Sequence, residues 1–240
     1  YRVRAYPDAP GLWTQLALRP TRQFAADQLP SFVGAARSER LAVAARSARL
    51  LAAGYYNDTQ HRNYDHTPIL RTRSWPAGRR DAVTVDWANL VALERGGEGL
   101  ALVKESHKCV NQPGVDTGEF VIAPGGVEVT GLGLTRPDYD PGPWPTDPDG
   151  WRPCWPVWTV LYARPAGETL ETARSLAIQR MDRCRYPFRP DRDRLIMANT
   201  WGSGGAGDGA RAAAEQANVL RELDSAADLG IEIVQIDDGW

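Results

Sequence analysis

The sequence has little cysteine and little histidine, three residues of each among 240. Cys109, Cys154 and Cys184 stand at scattered positions, without the paired spacing of a zinc site or the density of a disulfide framework. His107 and Cys109 would share one face of a strand, but two ligands do not make a metal site. The sequence therefore predicts no metal centre, and the cysteines are expected to be small buried or partly buried thiols.

The sequence also lacks an excess of charge of one sign and any long apolar run. The 28 basic and 30 acidic residues leave a net charge of −2, so no basic surface indicates a nucleic acid or an anionic membrane as partner. The longest apolar stretch is far shorter than the roughly 18 residues that span a bilayer. With 42% hydrophobic residues, the composition is typical of a soluble protein with one large domain or two smaller ones.

The chain begins with YRVRAYPDAP, which is typical of the inside of a strand, and not with methionine. It ends one residue after Gly239, directly behind another predicted strand. We therefore expect this sequence to be the N-terminal fragment of a longer protein. The compartment stays open between cytoplasmic and secreted, because a targeting signal can be lost with a missing piece.

The first 190 residues predict a β domain. Runs such as AVTVDWANLVALE, GLALVKES and PVWTVLYARP alternate or are wholly apolar, with turn residues between them. Strands at this spacing indicate a sandwich of two packed sheets. The alanine- and arginine-rich segment 32–56 fits a helix or two strands, and strands are favoured; the proline-rich segment 137–158 is expected to be irregular.

A different pattern begins near residue 169. TLETARSLAIQRMD predicts a helix capped by Thr169, and RLIMANTW predicts a buried strand. A helix over residues 210–229, ended by Gly230, precedes the strand IEIVQI. Its apolar face is expected to comprise Val219, Leu220, Leu223, Ala226 and Ala227. Strand, helix and strand form one β-α-β unit, so residues 191–240 are expected to open an α/β domain with a parallel sheet.

Two acids and an indole follow the last predicted strand. Asp237 and Asp238 stand at its carboxyl end, before Gly239 and Trp240. Ligands of parallel α/β folds bind at this edge of the sheet. Paired carboxylates accept hydrogen bonds from adjacent sugar hydroxyls, and an indole covers an apolar sugar face. The alternative is structural: Asp237 caps the next helix, Asp238 starts a turn and Trp240 packs.

The preceding strand ends at the same edge with Asn199, Thr200 and Trp201, so a second indole arrives there. This part of the sequence resembles the start of the catalytic barrel in α-galactosidases (melibiases) of glycoside hydrolase family 36. The resemblance lies in LIMANTWG, the helix that follows it, and AADLGIEIVQIDDGW. The resemblance is carried mainly by residues 195–240. It implies a β-sandwich (supersandwich) over residues 1–190, followed at 191–240 by the first β-α-β of a (β/α)8 TIM barrel.

The resemblance also implies roles for individual residues. Asp237 and Asp238 match the acidic pair that binds the galactose 4- and 6-hydroxyls, and Trp201 and Trp240 match walls of the galactose pocket. The family cleaves terminal α-D-galactosides with retention through two aspartates about 5–5.5 Å apart. Both come from later barrel strands, beyond Trp240, so the fragment alone is expected to be inactive. Neither a metal nor an organic cofactor is implied, and a homo-oligomer stays possible.

Other readings compete with an α-galactosidase. The glycine-rich loop after Trp201 departs from the family and leaves an α-N-acetylgalactosaminidase or a raffinose-synthase-like galactosyl transferase open. GSGGAG at 202–207 has the outline of a dinucleotide site, but Asp237 lies 30 residues past Gly207, where about 20 is expected.

A non-catalytic carbohydrate-binding protein is the third reading. Nine tryptophans are present, and Trp144, Trp151, Trp155 and Trp158 crowd the proline-rich segment. Packing over the sandwich is favoured for these indoles over an exposed sugar platform. The polar run that holds Lys104, Glu105, His107 and Lys108 is expected to be a solvated edge strand and not a second active site.

Overall fold

The computed structural model describes residues 1–55, 70–106, 118–200 and 208–237. They form a β-rich protein of mostly antiparallel sheets with few helices, which confirms the predicted β-rich class. The chain divides into two compact units, Tyr1–Arg185 and Tyr186–Trp240. The division falls slightly before the boundary predicted between residues 190 and 191.

In chain order the strands are β1 (Arg2–Ala5), β2 (Gly11–Gln15), β3 (Ala17–Leu18), β4 (Glu39–Ala42), β5 (Arg49–Tyr55), β6 (Leu70–Trp75), β7 (Val83–Val85), β8 (Leu90–Arg95), β9 (Glu98–Lys104), β10 (Phe120–Ala123), β11 (Gly126–Val129), β12 (Arg152–Pro153), β13 (Val157–Ala163), β14 (Met197–Asn199) and β15 (Ile233–Gln235). The helices are α1 (Gln28–Ala35), α2 (Leu170–Arg185), α3 (Pro190–Asp193), α4 (Asp208–Ala214) and α5 (Gln216–Leu229).

The larger sheet of the first unit has seven strands among the described residues, in the order β1-β2-β13-β9-β8-β5-β6. All of its pairings are antiparallel. The β8–β9 hairpin pairs Arg95 with Glu98 and turns through Gly96 and Gly97, whose φ angles are 62° and 91°. Positive φ at both central residues is what a tight hairpin turn requires, and glycine adopts it without strain.

The smaller sheet has the order β4-β11-β10-β7. One cluster of buried side chains draws on both sheets, because inward and outward residues alternate along each strand. The fully buried members include Leu50 and Leu102 of the larger sheet and Phe120 and Ile122 of the smaller one. Burying each such side chain contributes about 1.5–3 kcal/mol, so this cluster is a main source of stability for the unit.

Helix α2 covers the other face of the larger sheet. Ala173, Ala177 and Met181 of the helix pack in one cluster with Trp158 and Tyr162 of β13. The helix begins where the sequence predicted, because the hydroxyl oxygen of Thr169 accepts a hydrogen bond from the backbone N–H of Thr172 at 3.1 Å.

Removing this cap is expected to destabilise the first unit. Thr169→Ala should lower the free energy of unfolding by about 1 kcal/mol, because one N–H of the first helical turn loses its acceptor. Thr169→Ser keeps the hydroxyl and should change it little. Urea denaturation measures both variants beside Ser175→Ala, an exposed change within α2. Equal stabilities of Thr169→Ala and Thr169→Ser would contradict the cap.

The segments that the sequence left ambiguous are now assigned. Residues 32–56 contain β4 and β5, as favoured, but the segment begins inside α1. The proline-rich segment is largely irregular, as expected; it holds a 3₁₀ turn at Arg136–Tyr139 and the two-residue β12 before β13. Here Arg152 is 3% exposed, and its guanidinium donates to the backbone carbonyls of Asp138, Asp140, Gly142 and Gly150.

The prediction of a solvated edge strand around Lys104 is wrong. Strand β9 lies between β13 and β8, and Lys104 is only 2% exposed. The Lys104 ammonium donates to the carbonyl of Thr130, just past β11. The polar residues that suggested an edge stand at the end of a strand whose middle, from Leu100 to Val103, pairs on both sides. His107 lies outside the described residues.

The second unit contains the predicted strand–helix–strand. Strands β14 and β15 pair in parallel, with Met197 opposite Ile233 and Asn199 opposite Gln235. Gly230 ends α5 in the left-handed conformation at φ 71°, and its backbone N–H bonds the carbonyl of Ala227. These observations confirm the β-α-β prediction for this stretch of the chain.

Two details of that prediction are wrong. The single helix expected over residues 210–229 is two helices separated at Glu215, whose backbone is extended. The side-chain amide of Asn218 donates to the carbonyl of Ala213 at 3.0 Å, so a local side-chain bond replaces helical bonding at the break. The strand expected to be buried is exposed at its start, with Ile196 at 58% and Met197 at 56%, whereas Ala198 and Asn199 are half-buried.

Candidate functional site

The candidate site lies at the carboxyl ends of β14 and β15. Asn199 is the last residue of β14, Thr200 follows it, and Asp237 stands two residues after β15. Because the two strands are parallel, their carboxyl ends share one edge of the sheet, where α/β folds bind ligands. The sequence expectation that Asp237 and Asn199 reach the same edge agrees with this arrangement.

Hydrogen bonds join these side chains directly. The Nδ2 atom of Asn199 donates to Oδ2 of Asp237 at 2.6 Å and to Oε1 of Gln235 at 3.3 Å. Asn199 and Asp237 are both half-buried. A hydrogen bond to a carboxylate is stronger than one between neutral groups, so the Asp237 side chain is held in a defined orientation.

Thr200 fixes the backbone at the same place. Its backbone N–H donates to the carbonyl of Gln235 at 3.1 Å, and its Oγ1 accepts the backbone N–H of Asp237 at 3.0 Å. Thr200 is 3% exposed, so these bonds are shielded from water. The turn after β15 is therefore attached to β14 beyond the last paired residues of the strands.

The structure brings together only part of the predicted site. Asp238, Trp240 and Trp201 lie outside the described residues, as does the loop GSGGAG at 202–207. Sequence reasoning did not single out Gln235, the second acceptor of the Asn199 amide. The spacing could have predicted Gln235 as a neighbour of Asp237, because residues 235 and 237 are two apart and alternate residues of a strand share a face.

This arrangement can bind hydroxyl groups. A carboxylate offers about four lone-pair positions on its two oxygens, so it can accept hydrogen bonds from more than one donor. Each hydrogen bond to a charged group contributes about 1.5–3 kcal/mol. The half-buried position of Asp237 favours such bonds, because fewer water molecules compete for the oxygens.

The polar cluster around Glu94 in the first unit has a structural role. Glu94 is buried and accepts from Tyr162 Oη at 3.0 Å and from Arg174 Nη1 at 2.5 Å. Burial, with the Glu94 charge nearby, raises the pKa of the Tyr162 hydroxyl, so it stays a neutral donor. These hydrogen bonds attach α2 to β8 and β13.

The indoles near the proline-rich segment are mostly packed. Trp158 is 5% exposed, and its Nε1 donates to Oε1 of Glu105 at 2.6 Å. Trp144 is half-buried with the Arg152 guanidinium 5.1 Å from its ring centre, while Trp151 is 40% exposed. These positions agree with packing, the favoured interpretation, and not with one exposed platform.

Two of the three cysteines are described, and neither is bonded in a disulfide. Cys154 is buried, and burial raises the pKa of its thiol to about 12. Within the described ranges, no group of three or more histidine, cysteine or acidic side chains is placed to hold a metal ion. Over the same ranges, no helix has both the length and the apolar character to cross a membrane.

The sequence matches no model of a known protein family, and a search among curated proteins also gave no match.

Proposed function

We propose that this chain is part of a retaining glycoside hydrolase that acts on terminal α-D-galactosides. Its described contribution to the site is the Asp237 carboxylate, which would accept hydrogen bonds from sugar hydroxyls. The observation that carries the proposal is the 2.6 Å bond from Asn199 to Asp237 across the carboxyl ends of two parallel strands. It is supported by the resemblance of residues 195–240 to the first barrel strands of family 36 α-galactosidases.

The proposal includes a finer description of the fold. The first unit would be a β-sandwich, and the second would open a (β/α)8 barrel. Support comes from a core cluster shared by the two antiparallel sheets, and from the parallel β14–β15 pair that follows them in the chain. This order of a β-rich unit and then a parallel strand–helix–strand is the order of the family.

In the proposed site, Asp237 and Asp238 bind hydroxyls while Trp201 and Trp240 cover apolar sugar faces. The nucleophile and the acid/base would be aspartates outside residues 1–240, so the present chain alone would bind sugar weakly and cleave nothing. An acceptor aimed at the axial 4-hydroxyl of galactose disfavours glucose, because glucose leaves that acceptor without its donor. No metal or organic cofactor takes part in this proposal.

The test uses a full-length protein that contains these 240 residues. We expect it to hydrolyse 4-nitrophenyl α-D-galactopyranoside much faster than the α-glucoside, and NMR of the first product should show α-galactose, the retained anomer. Faster cleavage of the N-acetylgalactosaminide, or transfer of galactose to sucrose, would favour the related activities. No action on any α-galactoside derivative would contradict the proposal.

A further inference from the structure

We infer that Asn199 is a positioning residue that sets the orientation of the Asp237 carboxylate for sugar binding. This inference rests on the proposed function and adds a residue that the resemblance does not assign. The geometry behind it is the side-chain amide of Asn199, which lies between two side chains of the neighbouring strand end.

The parallel register creates this arrangement. Asn199 lies opposite Gln235, and Asp237 is two residues further along on the same face of the chain. An asparagine amide has two N–H donors. The Nδ2 atom of Asn199 meets Oε1 of Gln235 at 3.3 Å and Oδ2 of Asp237 at 2.6 Å. The hydrogen bond to Gln235 fixes the orientation of the Asn199 amide. The amide in turn fixes the orientation of the Asp237 carboxylate.

The neutral charge of the amide matters as much as its position. A lysine or arginine at residue 199 would pair with Asp237 as a cation and compete with a sugar for the carboxylate oxygens. An amide donates one hydrogen bond and leaves the negative charge of Asp237 in place for ligand hydroxyls. A carboxylate that is already oriented loses less conformational freedom when the sugar binds.

Asn199 and Thr200 have separate roles. Thr200 acts on the backbone of Asp237 through its Oγ1 atom, whereas Asn199 acts on the carboxylate itself. A change of Asn199 should therefore alter the orientation and charge environment of the carboxylate while the Thr200 bonds keep the chain in place. Its effect is expected in KM and not in the amount of folded protein.

The decisive variant is Asn199→Asp in the full-length enzyme. It puts a second carboxylate where the amide donor was, and two carboxylates at hydrogen-bond distance cannot both be ionised without repulsion. A lower pH favours the state in which the pair shares a proton and a donor to Asp237 is restored, and a higher pH favours the state in which both carboxylates are charged. KM on the α-galactoside is therefore measured at about pH 5 and at about pH 7.5. Relative to wild type, we expect it to be about tenfold higher at the second pH value, while kcat changes less than about threefold.

Two further variants separate the loss of the hydrogen-bond donor from the added negative charge. Asn199→Ala removes the donor without adding charge, so its KM should rise about tenfold at both pH values. Asn218→Asp is the matched control: it makes the same chemical change in α5, where Asn218 bonds the carbonyl of Ala213, and its KM should follow wild type. A purely structural role for Asn199 would instead lower the apparent kcat of both Asn199 variants in proportion to lost folded enzyme, at unchanged KM.

The outcomes separate this inference from the proposed function. If wild type cleaves α-galactosides and Asn199→Asp shows the wild-type dependence of KM on pH, the positioning role is overturned and the proposed function survives. If wild type cleaves no α-galactoside derivative, the proposed function fails and the role of Asn199 fails with it. The inference is supported if KM depends more strongly on pH in Asn199→Asp than in wild type, and if Asn199→Ala and Asn218→Asp show no such added dependence.

Discussion

Asp237→Ala in the full-length protein is expected to lower kcat/KM on an α-galactoside about a hundredfold, because the substrate loses a charged acceptor for its hydroxyls. A single hydrogen bond to a charged group is worth about 1.5–3 kcal/mol, and the upper part of that range corresponds to two orders of magnitude. The variant also removes one acceptor of the Asn199 amide, the one at 2.6 Å, which adds to the loss. Steady-state kinetics on the wild type and the variant measure the effect.

The matched control for this prediction is Asp228→Ala. Asp228 is an exposed acid in α5 of the same unit, so the change removes an equal charge away from the strand ends. Its kcat/KM should stay within about twofold of wild type. Asp237→Ala should also reduce the preference for galactoside over glucoside, because the discriminating acceptor is gone. Unchanged kinetics and unchanged preference in Asp237→Ala would remove Asp237 from the sugar site.

Arg152→Met is expected to destabilise the β-rich unit by about 3 kcal/mol or more. Arg152 is 3% exposed, and its guanidinium donates to four backbone carbonyls of the proline-rich segment, so its loss leaves buried and half-buried acceptors without this donor. The ring of Trp144, 5.1 Å from the guanidinium carbon, would lose its contact as well. Urea unfolding followed by tryptophan fluorescence measures the change in unfolding free energy.

Two variants make the cause of that loss clear. Arg152→Lys keeps the positive charge but replaces a planar fork of five donors with one ammonium, so it should lose most of the same stability. Arg19→Met removes an exposed arginine that stacks on Trp151 at 5.5 Å, and should cost less than about 1 kcal/mol. If Arg152→Lys were as stable as wild type, charge and not the set of carbonyl contacts would explain the burial of Arg152.

Local patterns in the sequence predict the local structure well. The runs AVTVDWANLVALE and GLALVKES predict strands where the structure has β8 and β9, because a strand pattern and its flanking turn residues act within a few residues. Thr169 predicts the start of α2 for the same reason. The meeting of Asn199 and Asp237 at one edge follows from the parallel pairing that a strand–helix–strand imposes.

Pairings between distant segments could not be predicted from such patterns. Strand β13 lies between β2 and β9, and alternation records which face a residue occupies but not which strand lies beside it. The burial of Lys104 was missed for this reason, since a polar strand end looks the same in an edge strand and in a central one. Likewise, no glycine or proline marks the helix break at Glu215, where the side chain of Asn218 bonds the preceding turn.

We propose that the Asp237 carboxylate binds a hexose at the carboxyl ends of β14 and β15. The most direct measurement is a crystal structure of the full-length protein with D-galactose bound. The account predicts a galactose hydroxyl within about 2.5–3.0 Å of an Asp237 carboxylate oxygen, with the bond from Asn199 to Asp237 retained. Galactose bound elsewhere, or Asp237 bonded only to protein groups beside a bound sugar, would contradict it.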